Sequence, residues 1–266
     1  MTTETMLETW NLTELSPFGV ELTAEVPGGD LLAVPPGRLQ DWVGRRRIAV
    51  LRGFAPPVGE VLTALGRRLG ELLEWSFGTV NELRPREDAK NYLYTSRAVP
   101  FHWDGAFAGR VPHYILFHCE SAPAQGDGGE TLFCDAARLL AAAPPERRRL
   151  WEGVTVTYTT ERIAHYGGSF TAPLIGRHPV SGESVLRFAE PVDDLNPVRL
   201  EVQGVPAAAR EELLRDLHER LNDPALCHAH AWRAGDVVIA DNHALLHGRR
   251  AFAQPAERHL RRVNIL

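Results

Sequence analysis

Cysteine is scarce in this chain of 266 residues. Cys119, Cys134 and Cys227 are too few and too scattered for a disulfide framework or a zinc knuckle. A reducing cytoplasm is therefore the expected setting. Long apolar runs are missing as well. "IAVL" and "DVVIA" fall far short of the roughly 20 residues that a membrane span needs. The start, "MTTETMLETWNLTEL", lacks the basic residues and apolar stretch of a signal peptide. No excess of positive charge exists: the net charge is −5, giving no general attraction to nucleic acid or an anionic membrane. No internal repeat, low-complexity tract or linker divides the sequence, so residues 1–266 are expected to form one domain. A small-molecule partner fits these absences, and a homo-oligomer is neither required nor excluded.

What is present is an ordinary globular balance, 44% hydrophobic and 24% charged, sufficient for a proper core. Short β-rich runs recur: "FGVEL", "IAVLRGF", "HYILFHC", "ETLFC", "VTVTYTT", "SVLRFA", "DVVIADN" and "RRVNIL". Gly, Pro, Asn and Asp separate many of them, as at strand ends. Helical spacing is confined to residues 37–46, 59–73, "DAARLLAAA" with Asp135 as N-cap, and 206–224. In the last of these, Leu213, Leu217 and Leu221 recur every four residues before Pro224. The expected fold is mainly β, a sandwich or barrel with helices packed outside.

The segment "FHWDGAF" (101–107) places His102 and Asp104 two apart. In a strand, residues two apart share a face, so both could reach one metal while Trp103 packs on the other side. Gly105 to Phe107 would shape the lip of the adjoining pocket. A lone His-x-Asp also arises by chance, and a distant third ligand is required. "GDVVIADNHALLHGRRAF" offers His243 and His247, where "DVVIADN" reads as a buried strand and "ALLHGR" as a second strand after a turn. Two histidines and one carboxylate leave positions open on iron for a co-substrate and oxygen. A keto-acid co-substrate needs a cation for its far carboxylate, and arginine provides a permanently charged, bidentate fork. Arg258 and Arg262 stand eleven and fifteen residues after His247; on a strand they share a face, with Arg261 opposite.

Together these features resemble the taurine dioxygenase-type branch of the iron(II)/2-oxoglutarate-dependent oxygenases. The matching elements are "HWD" (102–104), "GGETLF" (128–133) and "LLHGRRAFAQPAERHLRR" (245–262). "IGRHPVSGESVLRFAEP" (175–191) also looks like that family's His-Pro-x-x-Gly segment, and the likeness extends from Phe18 to the C-terminus. The resemblance implies a double-stranded β-helix, or jelly roll, of the cupin kind. It implies that His102, Asp104 and His247 bind Fe(II), with 2-oxoglutarate and O2 as co-substrates and succinate as a product. It further implies that Thr131, 27 residues after Asp104, and Arg258 hold 2-oxoglutarate. Retention of Asp104 argues against a halogenase, in which halide takes the carboxylate position.

A narrower likeness, in "FHWDGAF", "VPHYILFHCESAP", "GGETLFCD", "RFAEP" and "DNHALLHGRRAF", is to the dioxygenases of isonitrile biosynthesis. It implies oxidation of an amino-acid-derived isonitrile, usually of tyrosine or tryptophan, by side-chain desaturation with or without loss of the carboxylate. The alternative is hydroxylation of a free amino acid or another small carboxylate or sulfonate. A metal-keeping sensor and a zinc hydrolase built on His243 and His247 are further classes. The first has no need of Arg258 and Thr131, and the second lacks a His-Glu-x-x-His pattern. Arg262 either binds the substrate carboxylate, as the taurine branch implies, or supports Arg258. Tyr92, Tyr94, Arg97 and Phe107 are candidate substrate-pocket residues, followed by Phe188 and Glu190. His243 is a candidate supporting residue, whereas His113, His118, His165, His228 and His230 are read as non-ligands. Cys119 and Cys134 read as buried apolar residues.

Overall fold

The computed structural model describes residues 10–163, 166–253 and 257–266; His165 lies outside them. The first third runs β1 (Trp10–Glu14), β2 (Val20–Ala24), α1 (Pro36–Arg46), β3 (Ile48–Arg52), α2 (Val61–Leu69) and β4 (Val80–Leu83). The middle contains β5 (Val99–His102), β6 (Tyr114–Ser121), β7 (Thr131–Asp135), α3 (Ala136–Ala142), α4 (Pro145–Glu152), β8 (Thr155–Ile163) and β9 (Tyr166–Pro173). There follow β10 (Ile175–Arg177), β11 (Ser184–Leu186), β12 (Arg199–Gln203), α5 (Ala207–Leu221), β13 (Cys227–His230), β14 (Val237–Asp241), β15 (Leu245–Arg249) and β16 (His259–Ile265).

Seven strands form one sheet, in the order β1-β2-β3-β14-β6-β16-β4, and four form a second, β13-β7-β15-β5. Only β2 and β3 pair in parallel within these two sheets. Between the sheets lies a core of Val50, Ile115, Phe117, Val238 and Leu260 from the larger and Phe133 and Leu245 from the smaller. This is the jelly roll that the sequence resemblance implies. Burying Phe133 completely makes its truncation to alanine cost about 3–5 kcal/mol.

The outer face of the large sheet is covered by α1 and α2, whose Leu39, Val43, Leu62 and Leu65 meet Leu22, Leu51, Leu116 and Ile239. Strand β14 is thus apolar on both faces, which explains its unbroken "VVIA" run. Asp135 caps α3 as expected, accepting from the backbone N–H of Ala137 and Arg138. No helix among the described residues is long and apolar enough to cross a membrane.

Candidate metal centre and its cavities

The smaller sheet brings two distant histidines together. On β15 and β5, His247 and His102 are direct antiparallel partners, and their rings stand 4.3 Å apart between centroids. That approach requires a glycine at 248, where a Cβ would lie 2.7 Å from the carbonyl oxygen of Val99. Strand β5 ends at His102, and Asp104 follows in the turn. Asn242 staples this turn: its Oδ1 accepts from the Asp104 N–H, while its Nδ2 donates to the carbonyls of Asp104 and Pro112. Asp104 Oδ1 is 3.8 Å from Nε2 of His102 and 3.8 Å from Nε2 of His247. Three ligand atoms within 4.8 Å of one another can hold a metal ion.

The chemistry of the donors suits a divalent cation. His102 Nδ1 lies 2.9 Å from the carbonyl of Pro100, which takes its proton and leaves Nε2 as the free lone pair. Burial, and then neighbouring His102 and Arg262, push His247 down to about 3, and burial also lowers His102. Burial disfavours an ionised Asp104, but Arg262, the two histidines and the Asn264 hydrogen bond override it and hold the carboxyl at about 2. All three ligands are thus deprotonated at neutral pH, with no proton to displace. Arg262 Nη1 sits 3.0 Å from Asp104, and Asn264 Nδ2 donates to Oδ2 at 2.8 Å.

Beside the histidines lies a small cavity of about 40 Å³, bordered by Thr131, Arg258, His102 and His247. Arg258 is 4% exposed and, among the described residues, has no carboxylate partner. Burial, and then Arg249, bring its guanidinium down to about 9. Its Nε donates to the carbonyl of Gly129 and its Nη2 to Thr131 Oγ1. Gly129 has φ +82, and a Cβ there would come within 3.1 Å of the arginine side chain. Thr131 Oγ1 also accepts from Trp232 Nε1 at 2.9 Å. With both of its lone pairs engaged, the hydroxyl proton is left to donate elsewhere. A buried cation and a spare hydroxyl donor together form a receptor for a carboxylate.

A second cavity, of about 310 Å³, opens from His102 and Asp104 and is walled by Tyr92, Tyr94, Phe107, Tyr158 and Phe170, with Arg262 at its border. Phe170 stacks on Tyr158 at 4.9 Å and meets Phe107 edge-on at 4.9 Å. Trp103, which also lines this cavity, meets both Tyr158 and Phe170 edge-on. Burial, and then the charge of Asp104, raise the Tyr92 phenol to about 12, so it is neutral.

The structure corrects two sequence expectations. Arg97 is not a pocket residue; its side chain is 63% exposed and pairs with Asp194. The chain winds into a 3-10 turn at Tyr92–Tyr94, so the alternation of a strand does not carry through to 97. Phe188 is buried in the core behind the smaller sheet, away from the aromatic cavity. Glu190 borders the cavity, but its oxygens are taken by the Phe101 N–H and by His218.

His113, His178 and Asp241 form a second compact trio. His178 Nδ1 accepts from the N–H groups of Val180 and Ser181, so its Nε2 carries the proton and donates to Asp241. That bonding leaves His178 no lone pair for a metal. His243 Nδ1 meets Arg187 Nη2 at 2.7 Å, and the ring does not join the first trio. His118, His228 and His230 also lie outside both trios.

Sequence reasoning missed Asn242, Asn264, Trp232 and Arg249. Arg249 donates to the carbonyls of Leu93, Thr95 and Arg97, which fixes the wall bearing Tyr92 and Tyr94. A polar residue inside an apolar strand, as Asn264 is in "RRVNIL", was the available signal.

Known proteins bear on this geometry. The model of the taurine catabolism dioxygenase TauD, TfdA family matches residues 11–264. The chain is 44% identical to the 3-((Z)-2-isocyanoethenyl)-1H-indole synthase of Fischerella ambigua, across 97% of this chain and 96% of that one. It is 38% identical to the tyrosine isonitrile desaturase of Pseudomonas aeruginosa, across 93% and 87%. Its fold matches PvcB, described as an Fe, alpha-ketoglutarate dependent oxygenase from an isonitrile synthetic pathway. The TM-score is 0.82 at 34% identity, covering 100% of this chain and 94% of that one. The chain belongs to the taurine catabolism dioxygenase TauD, TfdA family and is an iron- and 2-oxoglutarate-dependent oxygenase.

Proposed function

We propose that this oxygenase desaturates an aromatic amino-acid-derived isonitrile, such as that of tyrosine or tryptophan, with retention or loss of the carboxylate. The observation that carries this reading is the aromatic cavity opening directly from His102 and Asp104, with a guanidinium at its border. Relatives named for an isocyanoethenyl-indole and for tyrosine isonitrile support it. His102, Asp104 and His247 hold the iron, while Arg258 and Thr131 bind the far carboxylate of 2-oxoglutarate. When bound, iron with 2-oxoglutarate and oxygen supplies the oxidising equivalents.

The chain's own residues do the rest. Arg262 attracts the substrate carboxylate, and Tyr92, Tyr94 and Phe107 enclose the aromatic ring and exclude water. The ring so held directs a benzylic C–H toward the histidine pair. An electron-rich ring stabilises the electron-deficient benzylic carbon, which favours elimination to an alkene over hydroxylation. The chain acts as a single catalytic domain in a reducing cytoplasm.

Mass spectrometry of tyrosine isonitrile and tryptophan isonitrile, incubated with protein, iron and 2-oxoglutarate, tests the reading. Loss of two hydrogens, alone or together with CO2, is expected. Gain of one oxygen, or turnover of free tyrosine in preference to its isonitrile, would instead establish a hydroxylase.

A further inference from the structure

Asn81 on β4 lies directly across the strand pair from Arg262 on β16. Antiparallel partners keep their side chains on one face, with Cβ atoms about 4.5–5.5 Å apart. Both residues border the aromatic cavity. Asn81 is only 6% exposed, and its Oδ1 accepts a hydrogen bond from the Tyr94 hydroxyl at 3.1 Å. An amide has one acceptor oxygen and two N–H donors. With the oxygen committed to Tyr94, the donors on Nδ2 turn the other way, and they meet no acceptor among the described residues. Arg262 is in a similar condition: Nη1 is spent on Asp104, while Nε is buried without a partner. Buried donors are ordinarily paired. Arg262 Nε is such an orphan, and the Asn81 amide donors beside it, facing a cavity with aromatic walls, mark the place of an acceptor from outside the chain.

We infer that Asn81 is a substrate-binding residue. It shares the carboxylate of the amino-acid-derived substrate with Arg262, one oxygen on the amide and the other on the guanidinium. The inference rests on the substrate class proposed above. Tyr94 is a positioning residue: by donating to Oδ1 it holds the amide oxygen away from the anion. A neutral donor suits this position for an electrostatic reason. A second cation here would compete with the metal for Asp104, whereas an amide adds attraction for the substrate without pulling on that ligand. The pair also sets specificity, because a decarboxylated arylethyl isonitrile offers it no anion.

Calorimetric binding to the iron-free protein reads this out independently of turnover. The ligands are tyrosine isonitrile, free tyrosine and 2-(4-hydroxyphenyl)ethyl isonitrile, which lacks the carboxylate. Asn81→Asp keeps the size and the acceptor for Tyr94 but replaces the donors with negative charge. It is expected to raise the Kd of both carboxylate ligands by about tenfold or more. Asn81→Ala is expected to raise it severalfold, and Tyr94→Phe less, in the same direction. The Kd of the decarboxylated isonitrile stays at the wild-type value in both Asn81 variants. Equal losses for all three ligands, or unchanged Kd values in both Asn81 variants, would overturn the inference. Free tyrosine separates the two readings: a protein that binds it and not the isonitrile refutes the substrate class, while its response to Asn81→Asp still decides the role of the amide.

Discussion

Asn264 donates its side-chain amide to Asp104 Oδ2 at 2.8 Å, across 160 positions of sequence. That bond parks one carboxylate oxygen and turns the other, Oδ1, toward both histidines. Groups that orient a metal ligand typically contribute tenfold to hundredfold in metal affinity. Asn264→Ala is therefore expected to weaken iron(II) binding by about 10–100-fold while leaving both histidines in place. Anaerobic metal titration checks this; an unchanged affinity would remove Asn264 from the centre's support.

Arg258 is a buried charge without a carboxylate of its own. An apolar side chain of similar length relieves that desolvation but strips the Gly129 carbonyl and Thr131 Oγ1 of their donor, two effects that oppose each other. Arg258→Met is therefore expected to melt close to the wild type in the absence of 2-oxoglutarate. It is also expected to lose the thermal stabilisation that 2-oxoglutarate gives the wild type with manganese(II), about 2.7 kcal/mol at a hundredfold excess over Kd. Thermal melts with and without the keto acid measure both effects.

Arg249 holds the wall of the aromatic cavity through the carbonyls of Leu93, Thr95 and Arg97. Arg249→Met leaves those carbonyls without their donor and is expected to cost about 2–4 kcal/mol. Arg249→Lys is expected to rescue little, since one ammonium cannot reproduce the planar fork. Denaturant melts give the stability, and steady-state kinetics should show KM for the aromatic substrate rising while iron affinity is kept.

Asp236 gives a pH test away from the centre. It is 1% exposed and forms a two-pronged pair with Arg52, both contacts at 2.8 Å. Burial opposes its ionisation, but Arg52 and His230 outweigh that and hold it at about 2. The unfolded value is near 3.9. Because the folded value is the lower one, the stabilisation is complete above about pH 4 and fades as pH falls toward 2. Asp236→Asn is expected to be less stable than the wild type at pH 7 by roughly 2 kcal/mol, with the gap narrowing between pH 4 and 3. Urea melts across that range decide it, and a gap that widened in acid would reverse the sign.

Strand patterns such as "DVVIADN" and "HYILFHC" were legible because burial on one or both faces is written into consecutive residues. His102 with Asp104, and His247 with Arg258, were legible as two short segments whose internal spacing resembles the taurine dioxygenase pattern. Asn242 and Asn264 were not, since each acts on Asp104 from 138 and 160 residues away. The same distance hid Arg249, which bonds carbonyls 152 to 156 residues before it. Arg97 misled because nearness to His102 in sequence was its only signal; beyond the 3-10 turn at Tyr92–Tyr94 it is exposed and pairs with Asp194. Phe107 fell at the cavity's wall as placed, whereas Trp103, expected on the side away from the metal, lines the same cavity as His102 and Asp104 while also packing on the core.

The most direct measurement is succinate release from 2-oxoglutarate, dependent on iron and on tyrosine isonitrile, by the wild type and by Asp104→Ala. The expected result is release by the wild type in step with desaturated product, and none above background from Asp104→Ala. Undiminished release by Asp104→Ala, or wild-type release that ignores the isonitrile, would contradict the proposed centre and its substrate.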